Sequence, residues 1–223
     1  QFSGLGPLPK HGLLRTRMWL PAERNCRGDY AVMTFAVEDD AASRALWPHA
    51  FRAEVSVAVE GNLLYAAGQT GGVWAMDVAD PAKPVTLRIE PAIPEVVNML
   101  SDGEHRVHLA RGNLTMTSLD FADPRSPQAL GCAVFEDGAG VWDIAVSGSM
   151  AYLAMNEQGL RALDLSDPMA PVIRSALPAI DGQPLYVAAV AESGGTVLAA
   201  DGPRLRVIDW QDPDRPLPLA TME

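Results

Sequence analysis

An eight-residue pattern, Asp-x-x-Asp-Pro-x-x-Pro, occurs four times in this chain of 223 residues. The copies lie at 77–84, 120–127, 164–171 and 209–216, so their first aspartates are 43, 44 and 45 residues apart. A period of this length, in a sequence rich in turn residues, is typical of one small four-stranded sheet per repeat. The sequence therefore predicts a repeat protein built from β-sheets.

Each copy contains three short apolar runs before the Asp-Pro segment and a more polar run after it. In the third copy these runs are 141–147, 151–155, 160–165 and 172–177. Apolar runs of this length, bounded by Gly, Asn, Asp and Pro, are typical of buried strands. The polar, Pro-flanked fourth run is typical of an edge strand. We therefore expect regular four-stranded units at 53–92, 94–134, 140–179 and 185–223.

The Asp-Pro segment has a structural interpretation. Proline fixes its own φ and restricts the residue before it, while an aspartate carboxylate can accept hydrogen bonds from nearby backbone amides. The segment should therefore form a rigid bend between the third and fourth strands. Calcium binding by the paired aspartates is disfavoured because the prolines leave no compact ligand loop.

The first 52 residues are about one further period long. Within them, residues 29–40 loosely resemble a second and third strand without the Asp-Pro turn. We interpret this region as a degenerate blade. The repeats are built from strands, so the predicted fold is all-β. A radial arrangement of the sheets would leave only short protected edges, and five repeats of about 44 residues account for most of the 223 residues. The predicted fold is a five-bladed β-propeller with four antiparallel strands per blade, formed as a single domain over residues 1–223. The alternative is a fragment of a larger ring.

Three segments carry a resemblance to a known family. They are Ala-Tyr-Leu-Ala at 151–154, Gly-Leu-Arg-Ala-Leu-Asp-Leu-Ser-Asp-Pro at 159–168 and Leu-Arg-Val-Ile-Asp at 205–209. These segments resemble the LVIVD-repeat family, and the resemblance extends over residues 53–223. The resemblance implies a β-propeller, often in bacterial surface or exported proteins, and it implies no particular activity. Export would require that Gln1 follow a cleaved signal; otherwise the expected location is cytoplasmic.

The charge balance disfavours several partners. The chain has 28 acidic and 17 basic residues and a net charge of −11. Nucleic acids and anionic membrane surfaces both require a positive face, so neither is an expected partner. Because no apolar run approaches the length of a membrane span, we also expect no membrane insertion.

Catalytic and metal-binding signatures are not found in the sequence. It contains no Gly-x-Ser-x-Gly, no phosphate-binding loop and no His-Glu-x-x-His. His108 aligns with Tyr65 and Tyr152, which predicts that it fills an aromatic position in a second strand. Cys26 and Cys132 have no metal-ligand spacing, and their redox state stays open. We therefore expect neither a cofactor nor a metal site.

The alignment of the copies predicts where a ligand would bind. Aligning Gly61, Gly103, Gly148 and Gly194 places four residues at one position of the innermost strand, and these are Ser56, Asn98, Asp143 and Ala189. In a propeller, the segments leading into the innermost strands and the turns between second and third strands lie at one end, around the channel mouth. The leading segments supply Glu54, Glu95, Trp142 and Tyr186, and the turns supply Gln69, Arg111, Asn156 and Asp201.

These polar residues have two interpretations. In the structural one, Ser56, Asn98 and Asp143 bind backbone amides of neighbouring blades, as buried polar groups must, and this is favoured for Asn98 and Asp143. In the functional one, the carboxylates of Glu95 and Asp143 and the Arg111 cation line a mouth for a small polar ligand or a basic peptide. The aromatic side chains of Trp142 and Tyr186 would form its walls, and they are harder to explain structurally.

Two classes of function follow. The first is a rigid binding or scaffold module that presents one face to a protein or a small polar ligand. In that case Asn98, Trp142, Tyr186, Gln69, Asn156 and Asp201 are the candidate binding residues. The second is an enzyme with acid/base chemistry in the channel mouth, in which Glu95 or Asp143 is the base and Arg111 stabilises negative charge. The lack of a catalytic motif favours the binding module.

Overall fold

A computed structural model describes residues 29–35, 44–52, 55–68, 72–80, 83–90, 93, 96–111, 115–135 and 140–223. All regular elements in these ranges are β-strands. They form four antiparallel sheets of four strands and two sheets of two strands.

The first two strands, β1 (Asp29–Phe35) and β2 (Arg44–Arg52), pair with each other as an antiparallel hairpin. Residues 29–40 were predicted to contain two strands. Residues 29–35 form one strand, β1, which pairs with β2, and residues 36–40 lie outside the described residues. A fifth four-stranded blade in this region stays a prediction.

Sheets I and II are the first two regular sheets. Sheet I contains β3 (Val55–Glu60), β4 (Leu63–Gly68), β5 (Gly72–Asp77) and β6 (Val85–Glu90). Sheet II contains β7 (Val96–Ser101), β8 (Arg106–Arg111), β9 (Thr115–Asp120) and β10 (Gln128–Val134). In both sheets each strand pairs with the next strand in the chain.

Sheets III and IV have the same order of strands. Sheet III contains β11 (Asp143–Ser147), β12 (Met150–Ala154), β13 (Leu160–Asp164) and β14 (Val172–Leu177). A short hairpin follows, formed by β15 (Ala179–Ile180) and β16 (Gln183–Pro184). Sheet IV contains β17 (Val187–Ser193), β18 (Thr196–Asp201), β19 (Arg204–Asp209) and β20 (Leu217–Met222).

Consecutive sheets pack face to face, with their innermost strands side by side. Strand β7 lies next to both β3 and β11, and β11 lies next to β17. Three apolar clusters fill the spaces between sheets I and II, II and III, and III and IV. This radial packing of meandering four-stranded sheets is that of a β-propeller. The all-β, β-propeller fold predicted from the sequence is therefore confirmed.

One position on the second strand of each sheet faces the following sheet. In sheets I, II and III it is occupied by Tyr65, His108 and Tyr152, all of which are buried. The rings of Tyr65 and Phe121 are 4.7 Å apart, and those of Tyr152 and Trp210 are 5.4 Å apart. His108 therefore fills an aromatic position, as the alignment predicted.

The buried imidazole of His108 is held by two neighbours. Its Nδ1 lies 2.8 Å from Ser118 Oγ, and its Nε2 lies 3.5 Å from Asp102 Oδ2. Burial acts to raise the pKa of Asp102, but the nearby His108 side chain and hydrogen bonds from the amides of Glu104 and Arg106 outweigh it and lower the pKa. The Asp102 carboxylate is therefore stabilised in its charged form.

The four Asp-Pro segments are turns in which the first aspartate binds the backbone. The side chains of Asp77, Asp120, Asp164 and Asp209 each accept a hydrogen bond from the amide two residues later, at 2.8–3.0 Å. These bonds, made with the prolines in place, give the rigid bend expected from the sequence.

Two of these turns also pack against the outer strand of the preceding sheet. The amide of Gly131 in β10 donates to the carbonyl of Pro168 at 2.7 Å. One sheet later, Ser175 Oγ in β14 donates to the carbonyl of Pro213 at 2.5 Å. Arg174 strengthens the second contact, because its guanidinium bridges Asp164 of sheet III and Asp214 beside sheet IV. The turns therefore join neighbouring sheets at their outer edge.

Candidate functional site

The aligned polar residues of the innermost strands contact one another in the structure. Ser56 Oγ donates to Asn98 Oδ1 at 3.0 Å, and Asn98 Nδ2 donates to Asp143 Oδ1. A chain of hydrogen bonds thus runs across β3, β7 and β11. The alignment predicted that these three side chains share one position, and the structure brings them together.

The same side chains bind backbone amides of the following sheet. Ser56 Oγ accepts from the amide of Met99 at 2.9 Å, and Asp143 Oδ2 accepts from the amide of Val190 at 2.9 Å. Asp143 Oδ1 also accepts from the amide of Ile144 at 2.9 Å. Since Met99 lies in sheet II and Val190 in sheet IV, these bonds connect sheet I to II and sheet III to IV. This geometry agrees with the structural interpretation of Ser56 and Asp143.

A second group of residues lies at the end of the sheets where the innermost strands begin. The amide of Trp142 donates to the carbonyl of Ala154 at 2.9 Å. Asn156 and Val187 exchange two backbone hydrogen bonds of 3.0 Å each, which form an isolated bridge. Asn156 belongs to the turn after β12, and Val187 begins β17. The strand-leading segments and the second-to-third-strand turns therefore share one end, which we call the mouth end.

Two aromatic side chains are exposed at the mouth end. Trp142 is 44% exposed and Tyr186 is 53% exposed. Their backbones are fixed, because Trp142 bonds to β12 and the amide of Tyr186 donates to Asp201 Oδ1 at 2.8 Å. The sequence identified both residues as hard to explain structurally, and their exposure is consistent with that.

Asp201 belongs to a buried ion pair that the sequence analysis missed. Arg206 Nε and Nη2 both donate to Asp201 Oδ2 at 2.8 Å, and Arg206 Nη1 donates to Thr221 Oγ1 at 2.7 Å. Both charged side chains are buried. The Asp201 carboxylate therefore fixes the backbone before β17 while Arg206 balances its charge. An arginine in the middle of the apolar run 205–208 was the available sequence signal.

Of the other predicted site residues, only Arg111 lies within the described ranges. Arg111 is half-buried at the end of β8, where it pairs with Val96 and Thr115. Gln69, Glu54 and Glu95 lie outside the described residues. The pairing of Glu95 with Arg111 in a mouth stays a prediction.

Three further findings concern the described part of the chain. No three His, Cys, Asp or Glu side chains there are placed so that they could hold a metal ion. Cys132, in β10, is exposed and has a free thiol. No helix in the described ranges is long and apolar enough to cross a membrane.

Comparison with protein families gives a match to part of the chain. A model described as the LVIVD repeat matches residues 53–88 and 138–176. These segments cover most of sheets I and III. A search of curated proteins finds no match to the chain.

Three solved structures of low sequence identity are similar to this fold. RRP9 WD40 repeats have a TM-score of 0.59 at 15% identity, with 79% of this chain and 55% of that chain covered. The computationally designed Ika8 protein has a TM-score of 0.58 at 11% identity, with 80% and 55% covered. A chain of the nidogen/laminin complex has a TM-score of 0.51 at 12% identity, with 73% and 60% covered. This chain therefore spans between half and two thirds of each of them.

Proposed function

Because two segments of this chain are LVIVD repeats within a β-propeller, we propose that the protein is a binding module whose mouth end holds a segment of another protein. The ligand contacts Trp142 and Tyr186, and the polar side chains below them hold the sheets together. No covalent chemistry is part of this function. One of the structurally similar chains comes from a complex of nidogen with laminin, so this type of fold occurs within protein–protein complexes.

The exposure of Trp142 and Tyr186 carries the proposal. Large aromatic side chains contribute much contact area for little conformational entropy, and they are enriched among the residues that dominate binding energy. Both residues have hydrogen-bonded backbones, so little further ordering is needed when a ligand binds.

The charge of the protein favours a basic ligand segment. A net charge of −11 attracts cations to the surface and raises the rate at which they associate. Lysine and arginine side chains can also stack on the faces of Trp and Tyr rings, with an attraction of about 0.5–1 kcal/mol at exposed positions. A peptide that carries Lys or Arg is therefore the ligand class that this end of the molecule fits best.

The alternative function, acid/base catalysis, is less well supported. A general base must offer a lone pair to the substrate. Asp143 is buried, and both of its carboxylate oxygens accept hydrogen bonds from Asn98 and backbone amides. Using Asp143 as a base would break the contacts that hold sheets II, III and IV together.

Peptide selection tests the proposed function. Peptides that bind the immobilised parent are selected from a displayed random library and then measured against Trp142→Ala/Tyr186→Ala. Truncation of a dominant aromatic contact costs about 2 kcal/mol, so we expect affinity to fall by about 30-fold. The control variant is Met169→Ala. Met169 is exposed and lies in an Asp-Pro turn at the end of the sheets opposite the mouth end.

The selected peptides should be enriched in Lys and Arg and should bind the control variant like the parent. The proposal is wrong if binding survives the double substitution, or if it is lost in Met169→Ala. Melting temperatures of both variants within a few degrees of the parent show that the fold is retained.

A further inference from the structure

The face of sheet IV that points away from sheet III is apolar and exposed. The strand register places Ala191, Leu198, Val207 and Ala220 in one row across the sheet. A second row on the same side contains Ala189, Ala200, Leu205 and Met222. We call these two rows the open face.

The equivalent faces of the other three sheets are covered. Leu198 takes the position of Tyr65, His108 and Tyr152, which are 0%, 1% and 4% exposed because the following sheet lies on them. Leu198 is 37% exposed and Met222 is 50% exposed. Contiguous exposed apolar surface of this kind marks an interaction site.

In sheets II and III, one position of the fourth strand contacts the Asp-Pro turn of the following sheet, and sheet IV has the same position exposed. Gly131 and Ser175 lie three residues after the starts of the paired fourth strands, and each contacts the Asp-Pro turn of the following sheet. Ala220 has the equivalent place in β20. It is small and exposed, and none of the described turns lies on it.

The inner strand of sheet IV differs from the others. At the position of Ser56, Asn98 and Asp143 it has Ala189, which has no side-chain acceptor for a backbone amide. A regular repeat would lose its hydrogen bond to the preceding sheet here. Ala189 therefore contributes no side-chain hydrogen bond to the segment that covers the open face.

The opposite terminal face, on sheet I, is not exposed. Leu64, Ala66 and Met76 form a buried cluster there, and every residue of that cluster belongs to a strand of sheet I or directly follows β5. A head-to-tail contact between two copies of the chain would need both terminal faces to be accessible. This argues against a head-to-tail contact with a second copy, and sedimentation tests a symmetric contact between two open faces.

Residues 1–28 have the charge and the composition to cover this face. They contain five basic residues and one acidic residue, a net charge of +4. The remaining 195 residues contain 12 basic and 27 acidic residues, a net charge of −15. The segment also contains apolar side chains at 13–14 and 18–20, and fully extended it can span roughly 90 Å.

We propose that residues 1–28 dock on the open face of sheet IV. The apolar side chains of the segment cover Leu198 and Met222, and its basic residues are attracted to the acidic remainder of the chain. Since β1 follows directly at Asp29 and leads through β2 to sheet I, this docking connects the first and last sheets of the propeller.

Cysteine labelling of the full chain tests whether the face is covered. In a Cys26→Ser/Cys132→Ser background, Leu198→Cys and Met222→Cys are compared with Leu219→Cys for reaction with a maleimide. Leu219 is 56% exposed and lies on the same strand as Met222 but outside the open face. We expect the two open-face thiols to react at least about tenfold more slowly, the factor that corresponds to 1.4 kcal/mol of docking free energy. Equal rates would overturn the proposal.

Two further measurements identify the occupant. Sedimentation should give the mass of a monomer, whereas a dimer with protected thiols would mean that a second copy covers the face, contrary to the proposal. Hydrogen exchange should then be compared between the parent and Leu198→Glu. Amides of residues 1–28 should exchange at least about tenfold faster in the variant, with the exchange of sheets I–III unchanged. Unchanged exchange in residues 1–28 would show that they do not dock on this face.

Discussion

The substitution Asp143→Asn separates the structural and functional interpretations of the aligned polar residues Ser56, Asn98 and Asp143. Among the described residues, the aspartate accepts hydrogen bonds from Asn98 Nδ2, the amide of Ile144 and the amide of Val190. An asparagine keeps the shape but replaces one acceptor oxygen with an NH2 donor. Whichever way the amide is turned, at least one of these donors then faces the NH2 group in a buried place.

The expected loss of stability follows from these contacts. A buried donor without an acceptor costs about 1–3 kcal/mol, and hydrogen bonds to a charged acceptor are about 1 kcal/mol stronger than those to a neutral one. We therefore expect Asp143→Asn to lower the free energy of unfolding by about 2–4 kcal/mol. The assay is urea denaturation monitored by far-UV circular dichroism. The dependence of the free energy of unfolding on urea concentration should be the same for the variant and the parent.

A control is available outside both the mouth end and the open face. Met169→Ala removes an exposed side chain in an Asp-Pro turn, so it should change the free energy of unfolding by less than about 0.5 kcal/mol. The selected peptides should bind Asp143→Asn like the parent. A variant that unfolds like the parent but fails to bind these peptides would refute the structural role of Asp143.

Three other substitutions test contacts between and within sheets. Gly131→Ala should destabilise the protein by about 1–3 kcal/mol in urea, because the new Cβ would lie 2.5–2.6 Å from atoms of the next Asp-Pro turn; a stability equal to the parent's would contradict that packing. Asp164→Ala should cost about 1 kcal/mol by loss of the turn hydrogen bond and leave peptide binding unchanged, and a binding defect at an unchanged melting temperature would point to the Asp-Pro end as functional. The pKa of Asp102 is lowered in the folded protein. The carboxylate therefore stabilises the fold at pH values above its unfolded pKa of about 3.9, and this stabilisation is lost as the pH falls through the folded pKa. Asp102→Asn should therefore lose less stability than the parent between about pH 5 and pH 2 in urea titrations, and equal losses would contradict this.

Much of the fold could be predicted from the sequence because the same order of apolar runs and Asp-Pro segments recurs in each repeat. The Asp-Pro turns and the aligned position of Ser56, Asn98 and Asp143 are local or periodic features, which four copies make visible. Arg174 and its bridge between two sheets could not be found this way, because that contact depends on how neighbouring sheets are placed.

Two features were missed although a sequence signal existed. The β15–β16 hairpin turns at Asp181-Gly182, both of which have positive φ, and Asp-Gly is a strong signal for a two-residue hairpin turn. The hairpin was missed because its two strands have only two residues each and lie in the connection between two repeats. Arg206 stands in an apolar run, and a buried arginine requires a partner such as Asp201.

The most direct test of the account is a hydrogen-exchange footprint of a selected peptide on the parent protein. Binding at the mouth end predicts slower exchange at residues 140–143, 155–159 and 185–187, where Trp142 and Tyr186 lie. It also predicts unchanged exchange in the Asp-Pro turns at 164–171 and 209–216. Protection of those turns, with no change at the mouth end, would contradict the proposed binding face.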